Sequence, residues 1–411
     1  MSITRDPAAA VDGPYAWMRL ALSVLLSTVG GIGLWSVVVA LPAVQAEFGI
    51  ARGAASLPYA LLMTGLATGN LLMGRLVDRV GIVPPLLIAG TSLAVGYLLA
   101  SLAGGLPVFA LAYFLPIGLL GSSVTFGPLM ADVSHWFVRR RGVAMSICAA
   151  GNYVAGAMWP PLLQASIAAF GWRQTHLFAA ILCAGVILPA AFALRRRAPT
   201  QVAHARAAAS LAPLPGFLGF TPGTLQGLLC IAGVGCCVAM SMPQVHLVAY
   251  CGDLGYGAAA GAQMLSLMLA LGVVSRIGSG VVADRIGGLG TLLIGSLLQM
   301  TALLLYLGFS GLTSLYVISG LFGLFQGGIV PSYAVIVREY FPPREAGLRI
   351  GAVLTATMLG MALGGSMSGA LYDVTGSYRA AFANGVAWNV LNAAIAMLLV
   401  WRAGGRATAP A

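Results

Sequence analysis

Residues 74–81 read GRLVDRVG, and residues 280–287 read GVVADRIG, so one short motif occurs twice in this chain. The matching positions are Gly74, Asp78, Arg79 and Gly81 in the first copy and Gly280, Asp284, Arg285 and Gly287 in the second. Each copy follows the second long apolar run of its half of the chain. A weaker echo relates WFVRRRG at 136–142 to YFPPREAG at 340–347. Two related halves follow, a plan typical of secondary transporters.

The sequence around this motif is that of an integral membrane protein. Of its 411 residues, 59% are hydrophobic and only 8% are charged, whereas soluble domains carry about 25% charged residues. Runs long enough to cross a bilayer predict twelve transmembrane helices in two six-helix pseudo-symmetric bundles, an all-α fold. The first bundle is predicted over 1–194, a cytoplasmic linker over 195–221, and the second bundle over 222–411. The predicted spans are 18–41, 55–76, 83–103, 107–131, 143–169, 175–194, 222–249, 258–283, 288–309, 312–337, 348–371 and 379–401.

The positive charge of the chain reports its orientation in the membrane. The formal net charge is +11, and all 21 basic residues are arginine. Most of them fall in segments that lie on one side when both termini are placed in the cytoplasm, and only Arg52, Arg173 and Arg379 fall outside. This distribution is the positive-inside bias, so no nucleic-acid partner is predicted. The Ala-, Gly- and Arg-rich composition favours a bacterial inner membrane, with the bilayer itself as a partner and no obligate protein partner evident.

Arg276 stands out because it lies in the run 258–283, which holds no other charged residue. Its guanidinium stays charged in proteins. Placing such a charge near the middle of a bilayer costs a free energy on the order of several kcal/mol. The position predicts a cation that holds an anion on a path through the membrane. Snorkelling or an interhelical contact is the structural alternative. No metal or cofactor is predicted, since the six cysteines lack a metal-binding spacing, and no nucleophile–base set predicts an enzyme.

Both copies of the repeated motif resemble the loop motif of the major facilitator superfamily. That resemblance implies that Asp78, Arg79, Asp284 and Arg285 are gate residues, which in the superfamily pair at the cytoplasmic face and hold the outward-open state. DGPYAW at 12–17 and WFVRRR at 136–141 resemble the two signatures of the monocarboxylate transporters. Arg276 falls where that family carries its substrate-binding arginine. The chain is thus identified as similar to a bacterial homologue of that family, sister to the oxalate/formate exchangers.

Two departures from the animal lactate carriers concern the proton. Those carriers have a lysine in helix 1 and an aspartate four residues before the substrate arginine, where this chain has Trp35 and Gly272. The stretch 33–39 looks more like that of the oxalate/formate exchangers, which use a second cation in helix 11. Here 351–371 holds no charge. A single buried cation balances one carboxylate and favours a monoanion, since a second buried charge would stay unpaired.

The sequence therefore predicts proton-coupled symport of small monocarboxylates such as L-lactate or pyruvate by alternating access. An electroneutral organic-anion exchanger of the oxalate/formate type is the alternative. A drug exporter and a non-transporting sensor are third and fourth hypotheses, which the sequence favours less. Beside Arg276, the predicted substrate-binding residues are Tyr333, Asn152, Tyr153, Leu34 and Trp35.

Gate and proton sites are predicted at the two ends of the helices. Asp132 ends the fourth span close in sequence to Arg139–Arg141, which predicts a cytoplasmic ion pair and adds Asp132 and Arg140 to the gate residues. No acidic residue lies at mid-membrane. The predicted proton-coupling candidates are therefore Asp253, in an outer turn, and His246, in the outer part of the seventh span.

Overall fold

A computed structural model describes residues 12–125, 127–137, 140–196 and 218–407. Within these ranges every regular element is helical. A helix satisfies its backbone N–H and C=O groups internally, which an apolar chain needs because a bilayer holds no water to bond them. The helices are α1 Pro14–Gly30, α2 Ile32–Phe48, α3 Arg52–Val80, α4 Val83–Ser101, α5 Leu106–Ala112, a π-helix Tyr113–Ser122, α6 Gly127–Val133, α7 Arg141–Ala193, α8 Pro222–Asp253, α9 Gly257–Gly308, α10 Leu312–Gln326, α11 Ile329–Tyr340, α12 Pro343–Thr375 and α13 Tyr378–Ala407.

Among the described residues, ten helical segments are long and apolar enough to cross a membrane. The two longest, Val143–Ala193 and Gly257–Gly308, have 51 and 52 residues, about twice what one crossing needs. Each contains one non-helical glycine, Gly171 in α7 and Gly287 in α9. Dividing the two long segments at these glycines gives twelve pieces, here numbered spans 1 to 12. The predicted all-helical membrane fold is confirmed.

The glycines that end the repeated motif explain its form. Gly81 follows span 2 with φ 84° and ψ 179°, and Gly287 follows span 8 with φ 76° and ψ 171°. This backbone region is open essentially to glycine alone. The same motif therefore makes the same sharp turn in both halves.

Three of the described spans are interrupted along their length. Span 1 changes from α1 to α2 at Gly31, and span 10 changes from α10 to α11 at residues 327–328. Span 4 consists of α5, the π-helix and α6, with its break after Ser122. The breaks in spans 4 and 10 occupy corresponding places of the two halves. Discontinuous helices are common at the binding sites of transporters.

The two main seams between the described halves are formed by span 2 with span 11 and by span 5 with span 8, and span 1 makes a smaller contact with span 7. Small residues line both seams. Gly369 of span 11 lies against Ser56 and the Arg52 carbonyl, and Gly156 of span 5 lies against Leu269 of span 8. Close packing through small residues is usual between membrane helices, and it leaves the few large polar side chains at the seams conspicuous.

Candidate substrate-binding site

Arg276 reaches from span 8 of the C-terminal half to span 5 of the N-terminal half. Its Nη1 donates to the Ala149 carbonyl oxygen at 3.3 Å, beyond the usual range for such a bond. The guanidinium carbon lies 4.5 Å from the ring centroid of Tyr153. The Nε donor is buried and has no hydrogen-bond partner in the described structure. Arg276 is thus held by a ring and one long hydrogen bond.

The seam around Arg276 explains why Tyr153 lies beneath it. Gly272 precedes Arg276 by one helical turn, and a Cβ atom placed there would come within 2.5 Å of Tyr153 Cε1. The tyrosine ring therefore fills the space that a side chain at position 272 would need. Where the animal lactate carriers are expected to have an aspartate beside the arginine, this chain places an aromatic face.

Trp35 extends the same seam by one further turn. Its ring packs on Gly156 of span 5, next to Leu269 of span 8. The side chain is buried, and its indole N–H has no hydrogen-bond partner in the part of the chain that the structure describes. Leu34 is half-buried beside it. Asn152 is also half-buried, with its Oδ1 beside Gly31 at the break of span 1. Along span 5, Arg276 therefore contacts Ala149 and Tyr153, and Trp35 contacts Gly156 about one turn further on.

Tyr333 lies in a different environment. It is buried inside the C-terminal half, and its hydroxyl donates to Asn392 Oδ1 of span 12 at 3.1 Å. Asn392 in turn donates to Ser296 Oγ of span 9 at 2.7 Å. The hydroxyl of Tyr333 is thus satisfied within its own half. The structure does not bring it to Arg276, and Tyr333 is left out of the contact set proposed below.

The described gate residues of the repeated motif form no ion pair in this structure. Arg79, Asp284 and Arg285 are exposed, and none of them is among the ion pairs between described residues. The side chain of Asp78 lies outside the described part of the chain. The gate role of the repeated motif stays a prediction.

Asp132 has a partner that the sequence did not predict. It accepts from Arg19 of span 1, at 2.7 Å to Nε and 2.8 Å to Nη2. Arg139 and the side chain of Arg141 lie outside the described residues, and Arg140 lies over Trp17 with its guanidinium carbon 6.0 Å from the ring centroid. The pair with Arg19 matters because burial makes an unpaired carboxylate costly.

The two monocarboxylate-transporter-like signatures form one cluster around this ion pair. Tyr15 packs on Trp136 at 5.1 Å, and Trp17 packs on Phe137 at 5.2 Å between ring centroids. Asp12 N donates to the Trp136 carbonyl at 3.0 Å. Two motifs that are far apart in the sequence thus join spans 1, 4 and 5 at one end of the N-terminal half.

At the predicted outer end, a residue that the sequence did not single out joins the halves. Arg52, at the start of span 2, donates to Asp253 at the end of span 7, with distances of 3.0 and 3.2 Å. It also donates to Tyr378 Oη of span 12 at 2.6 Å, and Tyr378 contacts His246. Of the two proton-coupling candidates, Asp253 therefore contacts Arg52 directly and His246 is connected to Arg52 through Tyr378. The sequence did contain one indication of this role, because Arg52 is one of only three arginines predicted on the outer side.

Comparison with known proteins gives the family. A profile described as Major Facilitator Superfamily matches residues 23–318 and 288–411. Monocarboxylate transporter 13 of Bos taurus is 29% identical over 339 residues, covering 80% of this chain and 75% of the relative. Monocarboxylate transporter 11 of Mus musculus is 27% identical over 409 residues, covering 92% and 86%. A solved bacterial homologue of the human lysosomal transporter Spinster has a TM-score of 0.69 at 13% identity, covering 94% and 97%.

Two related helical halves with broken spans and a cation at their seam define a membrane transport protein. The chain belongs to the major facilitator superfamily, as its repeated motif indicated. It is a secondary transporter of that fold.

Proposed function

We propose that this protein moves small monocarboxylates such as L-lactate or pyruvate across the membrane by proton-coupled symport and alternating access. The observation that carries the proposal is Arg276, a half-buried cation at the seam of the halves with no carboxylate partner among the described residues. The names of the animal relatives, both monocarboxylate transporters, support the same substrate class.

The surroundings of Arg276 fit one carboxylate. A guanidinium can hold a carboxylate through two parallel hydrogen bonds, and the long bond to Ala149 is readily given up for a charged acceptor. Because Arg276 is one cation, it balances one negative charge, which favours a monoanion over a dianion. Tyr153 and Trp35 offer aromatic surfaces along span 5 for the apolar part of a short acid.

Alternating access would use the two seams between the halves. The described structure has Arg52 ion-paired across the halves at the predicted outer end, while its other ion pairs stay within one half. This arrangement fits a form closed to the outside. We place the protein in a bacterial inner membrane with both termini in the cytoplasm, as the distribution of its arginines favours.

A specific observation supports an electroneutral anion exchanger as the second candidate. The ring of Tyr153 occupies the space at Gly272, where the lactate carriers are expected to have an aspartate. Without an acidic side chain beside the arginine, no described group at this site could bind the proton that symport moves with the anion. Exchange of one anion for another requires no such proton-binding group.

Uptake of radiolabelled L-lactate into cells that express the protein tests the proposal, at about pH 5.5 and about pH 7.5, with and without a protonophore. Symport predicts uptake that rises in acid and collapses with the protonophore. Uptake that ignores both conditions but depends on internal anions would establish exchange instead. An absence of lactate uptake at either pH would refute lactate as the substrate.

A further inference from the structure

We propose that His246 is the site where protons from the outer side act on the transporter, and that its protonation opens the outer closure. The outer closure is the group Arg52, Asp253, Asp373 and Tyr378 at the predicted outer end. The inference rests on the proposed proton-coupled transport, because it gives the proton a place to act without an acid beside Arg276.

The first part of the outer closure is an ion pair between the halves. The Arg52 guanidinium donates Nη1 to Asp253 Oδ2 at 3.0 Å and Nη2 to Asp253 Oδ1 at 3.2 Å. Its guanidinium carbon also lies 4.6 Å from the Tyr372 ring and 5.7 Å from the Tyr378 ring. Of the ion pairs between described residues, this one alone crosses from one half to the other.

The second part of the outer closure caps the start of span 2. Asp373 Oδ1 accepts from the Arg52 backbone amide at 2.9 Å, and Oδ2 accepts from the Gly53 amide at 2.7 Å. The first amides of a helix lack intrahelical partners, and the positive end of the helix dipole favours a carboxylate there. Both carboxylates of the outer closure, Asp253 and Asp373, are therefore bound by the first turn of span 2.

A hydrogen-bond chain of fixed direction connects the outer closure to His246. Arginine only donates and a carbonyl only accepts. Arg52 Nη1 therefore donates to Tyr378 Oη at 2.6 Å, and His246 Nε2 donates to the Gly365 carbonyl at 2.9 Å. The remaining contact is 3.1 Å between Tyr378 Oη and His246 Nδ1, and it gives the Tyr378 hydroxyl hydrogen an acceptor only when Nδ1 is unprotonated. We therefore assign His246 as the neutral imidazole in the closed form.

A protonated His246 does not fit this chain. Its Nδ1 would carry a hydrogen, so the Tyr378 hydroxyl would face a donor on both sides and its own hydrogen would lose its acceptor. Two cations, Arg52 and His246, would then share one hydroxyl group. His246 is fully buried, and burying a second charge is costly.

The other charged and titratable groups around His246 do not remove this conflict. Asp253 and Asp373 carry the compensating charges, but both are already bound by the first turn of span 2. Tyr250 packs its ring on Tyr378, 5.5 Å between centroids, and Tyr372 packs on Tyr378 at 4.6 Å. Arg379, exposed at the same end, adds further positive charge.

Opening the seam would let water reach His246, where an imidazole has a pKa near 6.5. Because protons would then bind the open form in preference to the closed one, acid on the outer side shifts the population towards the open form. For a group with that pKa, the ratio of open to closed protein rises about tenfold between about pH 7.5 and about pH 5.5.

Thiol labelling of a cysteine beneath the outer closure measures this shift without any substrate. Ser56 is fully buried, donates to the Arg52 carbonyl at 2.9 Å and faces Gly369 across the seam. In the Ser56→Cys variant, a membrane-impermeant thiol reagent added outside reaches the cysteine only when the seam opens. The Ser310→Cys variant, at an exposed position of the same predicted end, corrects for the pH dependence of the thiol itself. The parent without an added cysteine gives the background.

We expect corrected labelling of Ser56→Cys to be about tenfold faster at about pH 5.5 than at about pH 7.5. His246→Gln keeps a donor for Gly365 and an acceptor for Tyr378 but takes up no proton, so labelling should be slow at both values. When Arg52→Gln is combined with Ser56→Cys, the ion pair to Asp253 is lost, so the cysteine at position 56 should be labelled fast at both pH values. The matched control is Arg173→Gln, whose arginine pairs with Glu47 inside one half, and it should keep the parental response.

Two results overturn the inference: labelling of Ser56→Cys that ignores pH, or an acid response that His246→Gln retains in full. If His246→Gln does not fold, Tyr378→Phe takes its place. It removes the hydroxyl that links Arg52 to His246 and should also lose the acid response. Failure of lactate uptake alone would refute the proposed substrate and leave this inference standing, whereas normal lactate uptake with labelling that ignores pH would refute only this inference.

Discussion

Arg19 and Arg276 both project from membrane-embedded helices, yet their surroundings are opposite. Arg19 is 1% exposed, donates to both carboxylate oxygens of Asp132 and donates a further hydrogen bond to the Leu194 carbonyl at 2.9 Å. Arg276 has an aromatic ring, one long hydrogen bond and a buried Nε without a partner in the described structure. We call Arg19 saturated because each of its guanidinium nitrogens has a hydrogen-bond partner, and such an arginine stabilises the fold. Arg276 is unsaturated because its Nε has no partner among the described residues, and such an arginine is available to bind an anion.

The largest expected effect breaks the saturated side of this comparison. Arg19→Met leaves the Asp132 carboxylate buried without its cation, which costs about 3–5 kcal/mol. We expect a much lower melting temperature in detergent and a low yield of folded protein. The measurement is thermal denaturation followed by size-exclusion chromatography.

The control for Arg19 replaces both partners. Arg19→Met combined with Asp132→Leu removes the charge together with its partner, and such apolar replacements of buried pairs are often neutral. The double variant should therefore be more stable than Arg19→Met alone. A single variant as stable as the parent would show that Arg19 does not hold the cluster together.

Arg276→Ala tests the unsaturated side. Hydrogen bonds to charged groups contribute about 1.5–3 kcal/mol, so loss of the carboxylate contact should raise the KM for lactate by roughly 10- to 100-fold. Thermal stability should stay near the parental value, because no described carboxylate is left unpaired. Uptake at the parental rate with equal expression would contradict the role of Arg276.

The sequence predicted the outline of the fold because the outline depends on local patterns. The apolar runs predicted the spans, and the repeated motif predicted the two halves, since Gly81 and Gly287 make the same turn in each. Arg276 could be singled out because an isolated charge in an apolar run is visible without any tertiary contact.

The pairings between distant residues could not be predicted in the same way. Asp132 was expected to pair with the neighbouring arginines 139–141, and the structure gives it a partner far away in the sequence, Arg19. Arg52 was assigned to orientation alone, although it joins the halves through Asp253. Both contacts depend on which helices become neighbours, and one sequence does not report this. Tyr333 shows the converse, since central depth along a helix does not say which way the hydroxyl points.

A smaller effect is expected at Gly272, where the comparison can be sharpened by a matched pair. A methyl group at 272 would lie 2.5 Å from Tyr153 Cε1, and overpacking of this kind costs about 1–3 kcal/mol. Gly272→Ala should displace Tyr153 from beneath Arg276 and lower lactate uptake. Gly278→Ala, in the same helix with open space around it, should transport as the parent does. Equal uptake by the two variants would show that the position of Tyr153 does not matter.

The smallest effect concerns the ring under Arg276. A cation over an aromatic face gains about 0.5–2 kcal/mol, so Tyr153→Leu should raise the KM for lactate by roughly 2- to 30-fold if the ring orients the guanidinium. Tyr153→Phe keeps the ring and should stay near the parental KM, provided that the ring rather than the hydroxyl is what Arg276 uses. Because both variants leave the arginine in place, they separate its charge from its orientation. A KM that rises equally in both would assign the effect to the hydroxyl, and one that rises in neither would leave Arg276 oriented by the substrate itself.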